Sequence, residues 1–206
     1  MGCKELVLYT AEHSRGFMVE WLLEELGAPY RRVTIDLMAG EHKHDAYRAV
    51  HPLGAVPALV VDGHPIIESL AICLYLADAF PDAGLAPPPS SPARGRYYQW
   101  AVYATATLEP KLGPAFVRAL SVEPGLRGEV ATDAERDAMS EVLAPLQNEL
   151  ARGHLLDGGV TAADLIVGSE LWWASQVGLL NEEPSARAYL EGLTSRPSFG
   201  RVTGRG

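Results

Sequence analysis

Short apolar runs and helical apolar spacings alternate through the first part of the chain. Leu6–Tyr9 is an apolar run long enough for one buried strand. Apolar residues recur at helical spacing over Arg15–Leu26, and Gly27 follows where a left-handed C-cap belongs. Alternating polar and apolar residues over Arg32–Leu37 predict a second strand. This order predicts a βαβ unit with a right-handed crossover.

A hairpin and a further helix are predicted next. The apolar run Ala58–Val61 leads into Asp62-Gly63, a pair that favours the positive φ angles of a tight hairpin turn. Ile66-Ile67 is the returning strand, and Glu68-Ser69 opens a helix with apolar periodicity. With a short helix at Tyr47–Val50, the predicted order is β-α-β-α-β-β-α.

Beyond a proline-rich segment the pattern becomes entirely helical. Residues 81–93 predict a semi-rigid linker between a first domain, 1–80, and a second, 94–206. The spacing in the second domain predicts helices over Arg94–Leu108, ending at Pro110, then over Thr132–Arg152, from Thr161 onward, and over Ser185–Thr194. Thr132 with Glu135, and Thr161 with Asp164, fit capping boxes.

Composition and charge exclude several classes of function. The 206 residues include 26 Asp and Glu against 17 Lys and Arg, a net charge of −9. Nucleic acid is therefore not an expected partner, because phosphate binding needs a basic surface. The two cysteines, Cys3 and Cys73, are too few for a disulfide scaffold, which favours a reducing compartment. We find no signal peptide and no run long enough to span a bilayer, so we expect a cytoplasmic location.

Two polar features of the hairpin region suggest a binding edge for a peptide-like ligand. Pro57 cannot donate a ladder hydrogen bond and belongs at the start of a strand, so the backbone groups of Val56 stay available for another partner. Glu68-Ser69 stands at a helix N-terminus, where unpaired N–H groups and the helix dipole favour a carboxylate.

The same stretch resembles the glutathione-binding half of the cytosolic glutathione S-transferases. The residues that carry the resemblance are Pro52, Gly54, Val56-Pro57, Leu59 and Glu68-Ser69, and Val160–Asp164 and Arg196–Phe199 are similar to the family's C-terminal half. The resemblance implies a thioredoxin-like α/β domain followed by an all-α domain. It also implies a cis peptide bond at Val56-Pro57. His13-Ser14-Arg15 is similar to a fungal and bacterial subgroup with a His/Asn-Ser-Arg motif.

Such an enzyme needs a donor that stabilises the glutathione thiolate, since a lower thiol pKa provides more nucleophile at neutral pH. The family places this donor after the first strand, where Tyr9, Thr10, His13 and Ser14 are candidates. We choose Ser14, with Arg15 adding positive charge. Thr10 is the second choice, and a backbone N–H near Ser14 is a third. The alternative for Ser14 is a purely structural role as the N-cap of the helix.

The resemblance also assigns the rest of the site. Val56, preceding Pro57, would pair its backbone with the cysteinyl unit, and Glu68 and Ser69 would hold the γ-glutamyl end. The glycine carboxylate needs a cation, for which His42, Lys43 and His44 are candidates. Ala55 stands where related members have a lysine. Tyr103 and Thr107, with Trp172 or Trp173, are expected near the second substrate.

These residues together predict a glutathione transferase of the detoxification type that attacks an electrophilic carbon or a peroxide, with a possible glutathione peroxidase side activity. Glutathione is the co-substrate, no metal is expected, and the family implies a homodimer. An isomerase of the maleylacetoacetate type would show Ser-Ser-Cys near the first helix, and a reductase or glutathionyl-lyase would show a cysteine there; both are absent. The remaining alternative is a non-catalytic glutathione-binding scaffold or regulatory protein.

Overall fold

The computed structural model describes residues 5–121 and 130–204, so Cys3 lies outside the described residues. The chain forms two compact units. The first contains the residues up to Ala83 and those from Pro197 on, and the second contains Gly84–Arg196. The sequence analysis assigned residues 197–206 to the helical domain and residues 84–93 to the linker. In the structure, the segment from Pro197 on belongs to the first unit and residues 84–93 belong to the second.

The first unit is built on a mixed sheet of four strands. These are β1 (Leu6–Thr10), β2 (Arg31–Thr34), β3 (Ala58–Val61) and β4 (His64–Ile67), in the spatial order β2-β1-β3-β4. Strands β1 and β2 are parallel, and the other pairings are antiparallel. Helices α1 (Gly16–Leu26), α2 (Asp45–Arg48) and α3 (Ser69–Ala79) follow β1, β2 and β4, which confirms the predicted order.

Local turn chemistry sets the ends of these elements. Gly27 caps α1 in the left-handed region with φ 60°. Asp62 and Gly63 have φ 48° and 83°, which are the angles expected for the hairpin turn. Strand β2 ends at Thr34, three residues before the predicted end. Residues after it form a tight turn instead, in which the Asp36 carboxylate accepts from the N–H of Ala39 at 2.8 Å.

A helix that the sequence pattern did not predict closes the first unit. Helix α10 (Pro197–Thr203) packs against α1. The buried Trp21 donates its indole N–H to the Ser198 hydroxyl at 3.2 Å and lies 5.0 Å, centroid to centroid, from the ring of Phe199. Arg201 pairs with Glu24 at 2.7 Å. These contacts join segments more than 170 residues apart in the sequence.

The second unit is helical in its described part. Its helices are α4 (Ala93–Tyr103), α5 (Glu109–Ser121), α6 (Asp133–Leu143), α7 (Gln147–Arg152), α8 (Ala162–Gln176) and α9 (Pro184–Thr194). The predicted linker is partly integrated, since the Leu85 carbonyl accepts from the N–H of Ala162 at 2.8 Å. Both predicted capping boxes are confirmed.

The helix expected to end at Pro110 continues instead. A π-helical segment, Ala104–Leu108, joins α4 to α5, and Glu109 donates its N–H to the carbonyl of Ala104, five residues back. Proline has no N–H and its ring clashes with the carbonyl four residues earlier. The widened turn lies directly before Pro110, and the helix runs on past that residue as α5.

Candidate functional site

Three chain segments converge at one edge of the sheet in the first unit, the end at which β1 and β4 finish and β3 begins. The last residue pairs at this edge are Tyr9 with Ala58, and Ala58 with Ile67. The β3–β4 pairing ends with Ala58 and Ile67, so Val56–Pro57 directly precedes the paired residues of β3 and Glu68–Ser69 directly follows those of β4. The loop after β1, which carries Ser14, leaves the sheet at the same edge.

The residues at Val56–Pro57 present backbone groups to this edge. The Val56–Pro57 peptide bond is cis, as the resemblance implied. Pro57 is buried and Val56 is half-buried. Among the described residues, the N–H and C=O of Val56 make no hydrogen bond to another backbone group. Val56 therefore offers one backbone donor and one backbone acceptor, the kind of groups with which a protein pairs a peptide ligand.

Glu68 holds a backbone conformation that is unusual for a residue with a side chain. Its φ is 72° and its ψ is 112°, and it stands immediately before α3 with an exposed side chain. Non-glycine residues with positive φ are uncommon, and they concentrate at functional sites. Ser69, at the first position of α3, is buried. The pair thus joins a solvent-facing carboxylate to a helix N-terminus.

The hydroxyl of Ser14 already has two partners in this structure. It donates to the carbonyl of Ala11 at 2.6 Å and accepts from the N–H of Gly16, the first residue of α1, at 3.1 Å. Ser14 is half-buried. Arg15 follows as an exposed N-cap residue without a capping bond from its side chain.

Thr10 has a different environment from Ser14. Its side chain is completely buried, and its Oγ1 has no hydrogen-bond partner within residues 5–121 and 130–204. The oxygen lies against the first residue of α1, since a Cβ on Gly16 would come within 1.8 Å of it. A hydroxyl without solvent exposure does not contact a ligand in this conformation.

The segment that carries the candidate cations packs against the turn before β3. Gly54 has φ 63°, and a Cβ there would lie 2.3 Å from the carbonyl oxygen of His42. Only glycine fits both the angle and the gap. This contact places His42 and the exposed Lys43 next to the exposed Ala55. The Nδ1 atom of His42 is buried without a partner among the described residues.

Sequence reasoning missed Tyr47, which supports this turn from below. Its hydroxyl donates to the carbonyl of Ala55 at 2.6 Å. The centroid of its ring lies 5.7 Å from the ring centroid of Tyr9 and 6.5 Å from that of His51. Burial, with a smaller effect of Tyr9, raises the pKa of Tyr47 to about 12, so the phenol remains a donor at neutral pH. The available signal was an aromatic residue on a short helix just before the turn.

The two residues predicted near the second substrate belong to the second unit. Tyr103 ends α4 and donates its hydroxyl to the carbonyl of Val142 at 2.9 Å. Burial raises the pKa of Tyr103. Thr107 lies half-buried in the π-helical segment. The phenol of Tyr103 therefore has a structural partner, while its ring and Thr107 remain partly exposed.

The described residues contain neither a metal-binding cluster nor a membrane-spanning helix. Within residues 5–121 and 130–204, no group of three or more His, Cys, Asp or Glu side chains is arranged to hold a metal ion. In the same part of the chain, no helix combines the length and apolar character needed to cross a membrane.

Comparison with known proteins points to one family. Residues 4–78 match the family model described as "Glutathione S-transferase, N-terminal domain". The chain is 31% identical over 179 residues to glutathione S-transferase GstA of Escherichia coli O157:H7, covering 85% of this chain and 86% of that protein. It is 28% identical over 189 residues to glutathione S-transferase 3 of Zea mays, covering 88% and 85%.

Solved structures give the same result. A glutathione S-transferase I bound with lactoylglutathione has a TM-score of 0.84 at 25% identity, covering 98% of this chain and all of that one. Glutathione transferase URE2P6 from Phanerochaete chrysosporium, in complex with oxidized glutathione, has a TM-score of 0.82 at 27% identity, covering 98% and 96%.

Proposed function

The chain belongs to the glutathione S-transferase family, and we propose that it binds glutathione at the sheet edge of its first unit and transfers it to a small electrophile. The observation that carries this proposal is the end of the β3–β4 pairing at Ala58 and Ile67, which leaves Val56–Pro57 and Glu68–Ser69 directly beside the paired residues at one end of the sheet. Backbone groups without a backbone partner, beside a helix N-terminus, fit a tripeptide with a carboxylate at each end.

Each part of glutathione has a chemical partner in this arrangement. Val56 pairs its N–H and C=O with the cysteinyl unit. Ser69 and the N-terminus of α3 bind the α-carboxylate of the γ-glutamyl residue, and the Glu68 carboxylate binds its ammonium group. The strained φ of Glu68 supports this role, because such conformations persist where function requires them. His42 or Lys43 neutralises the glycine carboxylate, with Ala55 leaving space beside it.

The thiolate is stabilised at the start of α1. Ser14 donates its hydroxyl to the sulfur after leaving the Ala11 carbonyl, while the Gly16 N–H continues to hold its oxygen. The positive end of the α1 dipole and Arg15 lower the thiol pKa further. The burial of Thr10 argues against a direct role for its hydroxyl, which leaves a backbone N–H near Ser14 as the main alternative donor.

The thiolate sulfur then attacks an electrophilic carbon, a carbon–sulfur bond forms, and the leaving group departs with its electron pair. A peroxide is the second substrate class. Tyr103 and Thr107 are proposed to contact the electrophile. We also propose a cytoplasmic homodimer of the His/Asn-Ser-Arg subgroup, with Leu53, which is 79% exposed beside the glutathione site, contributing to the subunit contact.

One observation favours a binding protein without catalysis. Both hydrogen bonds of Ser14 in this structure are structural, and together they account for the residue as a helix cap. In that case the chain would bind glutathione without lowering the pKa of its thiol.

The pH dependence of the bound thiolate absorbance distinguishes these functions. In wild type we expect a thiolate near neutral pH, and in Ser14→Ala a thiol pKa higher by one unit or more, which is about 1.4 kcal/mol of thiolate stabilisation. Ser91→Ala is the matched control, because Ser91 accepts an equivalent bond from the N–H of Ala93 at the start of α4. It should lose similar stability and leave the thiol pKa unchanged.

Three other outcomes have clear meanings. An equal thiol pKa in wild type and Ser14→Ala would assign the donor to a backbone N–H. Glutathione binding without a thiolate would identify a binding protein. Absence of glutathione binding in wild type would refute the proposed function.

A further inference from the structure

Among the described residues, the buried phenol of Tyr47 has one hydrogen-bond partner, which lies in the proposed glutathione-binding segment. Its hydroxyl donates to the Ala55 carbonyl at 2.6 Å, one residue before Val56. Tyr47 is 5% exposed, so this bond is shielded from water on the side of the ring. A short bond to a buried donor fixes the direction of its acceptor carbonyl.

The direction of the Ala55 carbonyl determines the direction of the Val56 N–H. These two groups belong to one planar peptide unit, which is trans, since the only cis bond among the described residues is Val56–Pro57. In a trans peptide the C=O and the N–H point in opposite directions. With the carbonyl held towards Tyr47, the Val56 N–H points away from Tyr47.

The surroundings of Tyr47 hold its ring in place. The ring of Tyr9 in β1 packs beside it, with 5.7 Å between the ring centroids. The ring of His51 stacks on it, with 6.5 Å between the centroids and an angle of 27° between the planes. His51 is itself tied to Tyr47, since its N–H donates to the Tyr47 carbonyl at 2.9 Å, and its own carbonyl accepts from Gly54 at 2.8 Å. The turn before β3 is thus built on the tyrosine.

We propose that Tyr47 is a positioning residue for glutathione, which acts by holding the Ala55–Val56 peptide plane so that the Val56 N–H faces the cysteinyl carbonyl. This inference rests on the proposed function. The phenol does not contact the sulfur, so it contributes to the affinity for glutathione and leaves the thiol pKa to the Ser14 region.

The test replaces Tyr47 with phenylalanine, which keeps the ring and removes the hydroxyl. We expect the dissociation constant of S-methylglutathione and the KM for glutathione to rise about five- to tenfold, a typical loss for one backbone hydrogen bond that is no longer aligned. The kcat at saturating glutathione should stay within about twofold, and the bound thiol pKa should not change.

Tyr30→Phe provides the matched control. Tyr30 is half-buried in the same unit, donates its hydroxyl to Glu24 at 3.2 Å, and precedes β2 at the opposite end of the sheet. It should lose a phenol hydrogen bond without any change in glutathione affinity. Urea unfolding of both variants compares their stability, so a general loss of structure is recognised.

A direct measurement follows the amide itself. In 15N-labelled wild type, the Val56 amide proton should shift downfield when S-methylglutathione binds, and this shift should be smaller at saturation in Tyr47→Phe. If wild type binds S-methylglutathione and Tyr47→Phe binds within twofold of it with the same Val56 shift, the positioning role is overturned while the proposed function stands. If wild type does not bind it, both are overturned.

Discussion

Removal of the Asp164 carboxylate should be among the most damaging single changes to this fold. The side chain is completely buried and accepts four hydrogen bonds. Oδ1 accepts from the N–H of Leu155 at 2.7 Å and from the hydroxyl of Tyr189 at 2.8 Å. Oδ2 accepts from the N–H and the hydroxyl of Thr161 at 2.7 and 2.8 Å. One carboxylate therefore joins the loop before α8, the start of α8 and helix α9.

The loss in the free energy of unfolding can be worked out from the buried donors that would have no acceptor in Asp164→Ala. The Thr161 hydroxyl can rotate to another acceptor, but the N–H groups of Leu155 and Thr161 and the phenol of Tyr189 remain buried. Each unpaired buried donor costs about 1–3 kcal/mol. Three of them, with some relaxation, should lower the free energy of unfolding by about 3–6 kcal/mol. This is a large share of the ~5–15 kcal/mol typical of a folded protein.

Urea unfolding followed by tryptophan fluorescence and circular dichroism measures this loss. Asp157→Ala is the control, because Asp157 is 96% exposed and pairs only with Arg152 at 3.1 Å, a contact worth ~0–1 kcal/mol. Asp164→Asn should be nearly as unstable as Asp164→Ala, because the amide NH₂ is itself a donor and cannot accept the hydrogen bonds that one carboxylate oxygen accepts. A loss below about 1.5 kcal/mol in Asp164→Ala would refute the assignment of these bonds as the main support of α8.

Two further predictions concern a backbone contact and a salt bridge. Gly54→Ala should lower both the free energy of unfolding and the glutathione affinity, because the new Cβ would lie 2.3 Å from the His42 carbonyl oxygen. The control is Gly153→Ala, where φ is also positive but the space is open, so it should cost only the ~1–2 kcal/mol of a left-handed backbone and leave the affinity unchanged. Equal effects of the two substitutions on affinity, measured by calorimetry, would contradict this prediction. The hydrogen bond from Arg118 is the main cause that lowers the pKa of Glu135 from 4.5 to about 2. The ionised Glu135 therefore stabilises the folded state fully above pH 4.5, and this stabilisation is lost as pH falls towards 2. The urea midpoint should fall less steeply between pH 5 and 2 in Glu135→Gln than in wild type, and parallel slopes would refute the linkage.

The features that the sequence predicted correctly are those set by local chemistry. Gly27, Asp62-Gly63 and the pair Thr161 and Asp164 each act through their own backbone angles or through a neighbour within a few residues. Such signals survive folding because no distant contact is needed to express them. The fold class followed from their order along the chain.

The features that the sequence did not predict depend on distant contacts. No helix was predicted after Ser185–Thr194, although proline is suited to the first position of a helix. Helix α10 forms there because it packs against Trp21 and Glu24 of α1. The bond from Tyr47 to Ala55 depends on the folding of the turn between them.

At the candidate site, sequence reasoning gave the right segments without ranking their members. Ser14 and Thr10 are both hydroxyl residues after a strand, and the pattern treats them alike. Packing separates them, since Thr10 is buried against the start of α1 and Ser14 is partly open. Such a difference in solvent access is a property of the assembled loop and not of either residue.

The return of α10 to the first unit has a consequence for the order in which the protein is made. The ribosome synthesises the sheet and α1–α3 first, then the whole helical unit, and only afterwards the segment Pro197–Thr203. Until that segment emerges, the nascent first unit lacks the helix that packs on Trp21. A premature stop after residue 196 would therefore leave an apolar surface on α1 for chaperones and proteases to recognise, although every strand would already be present.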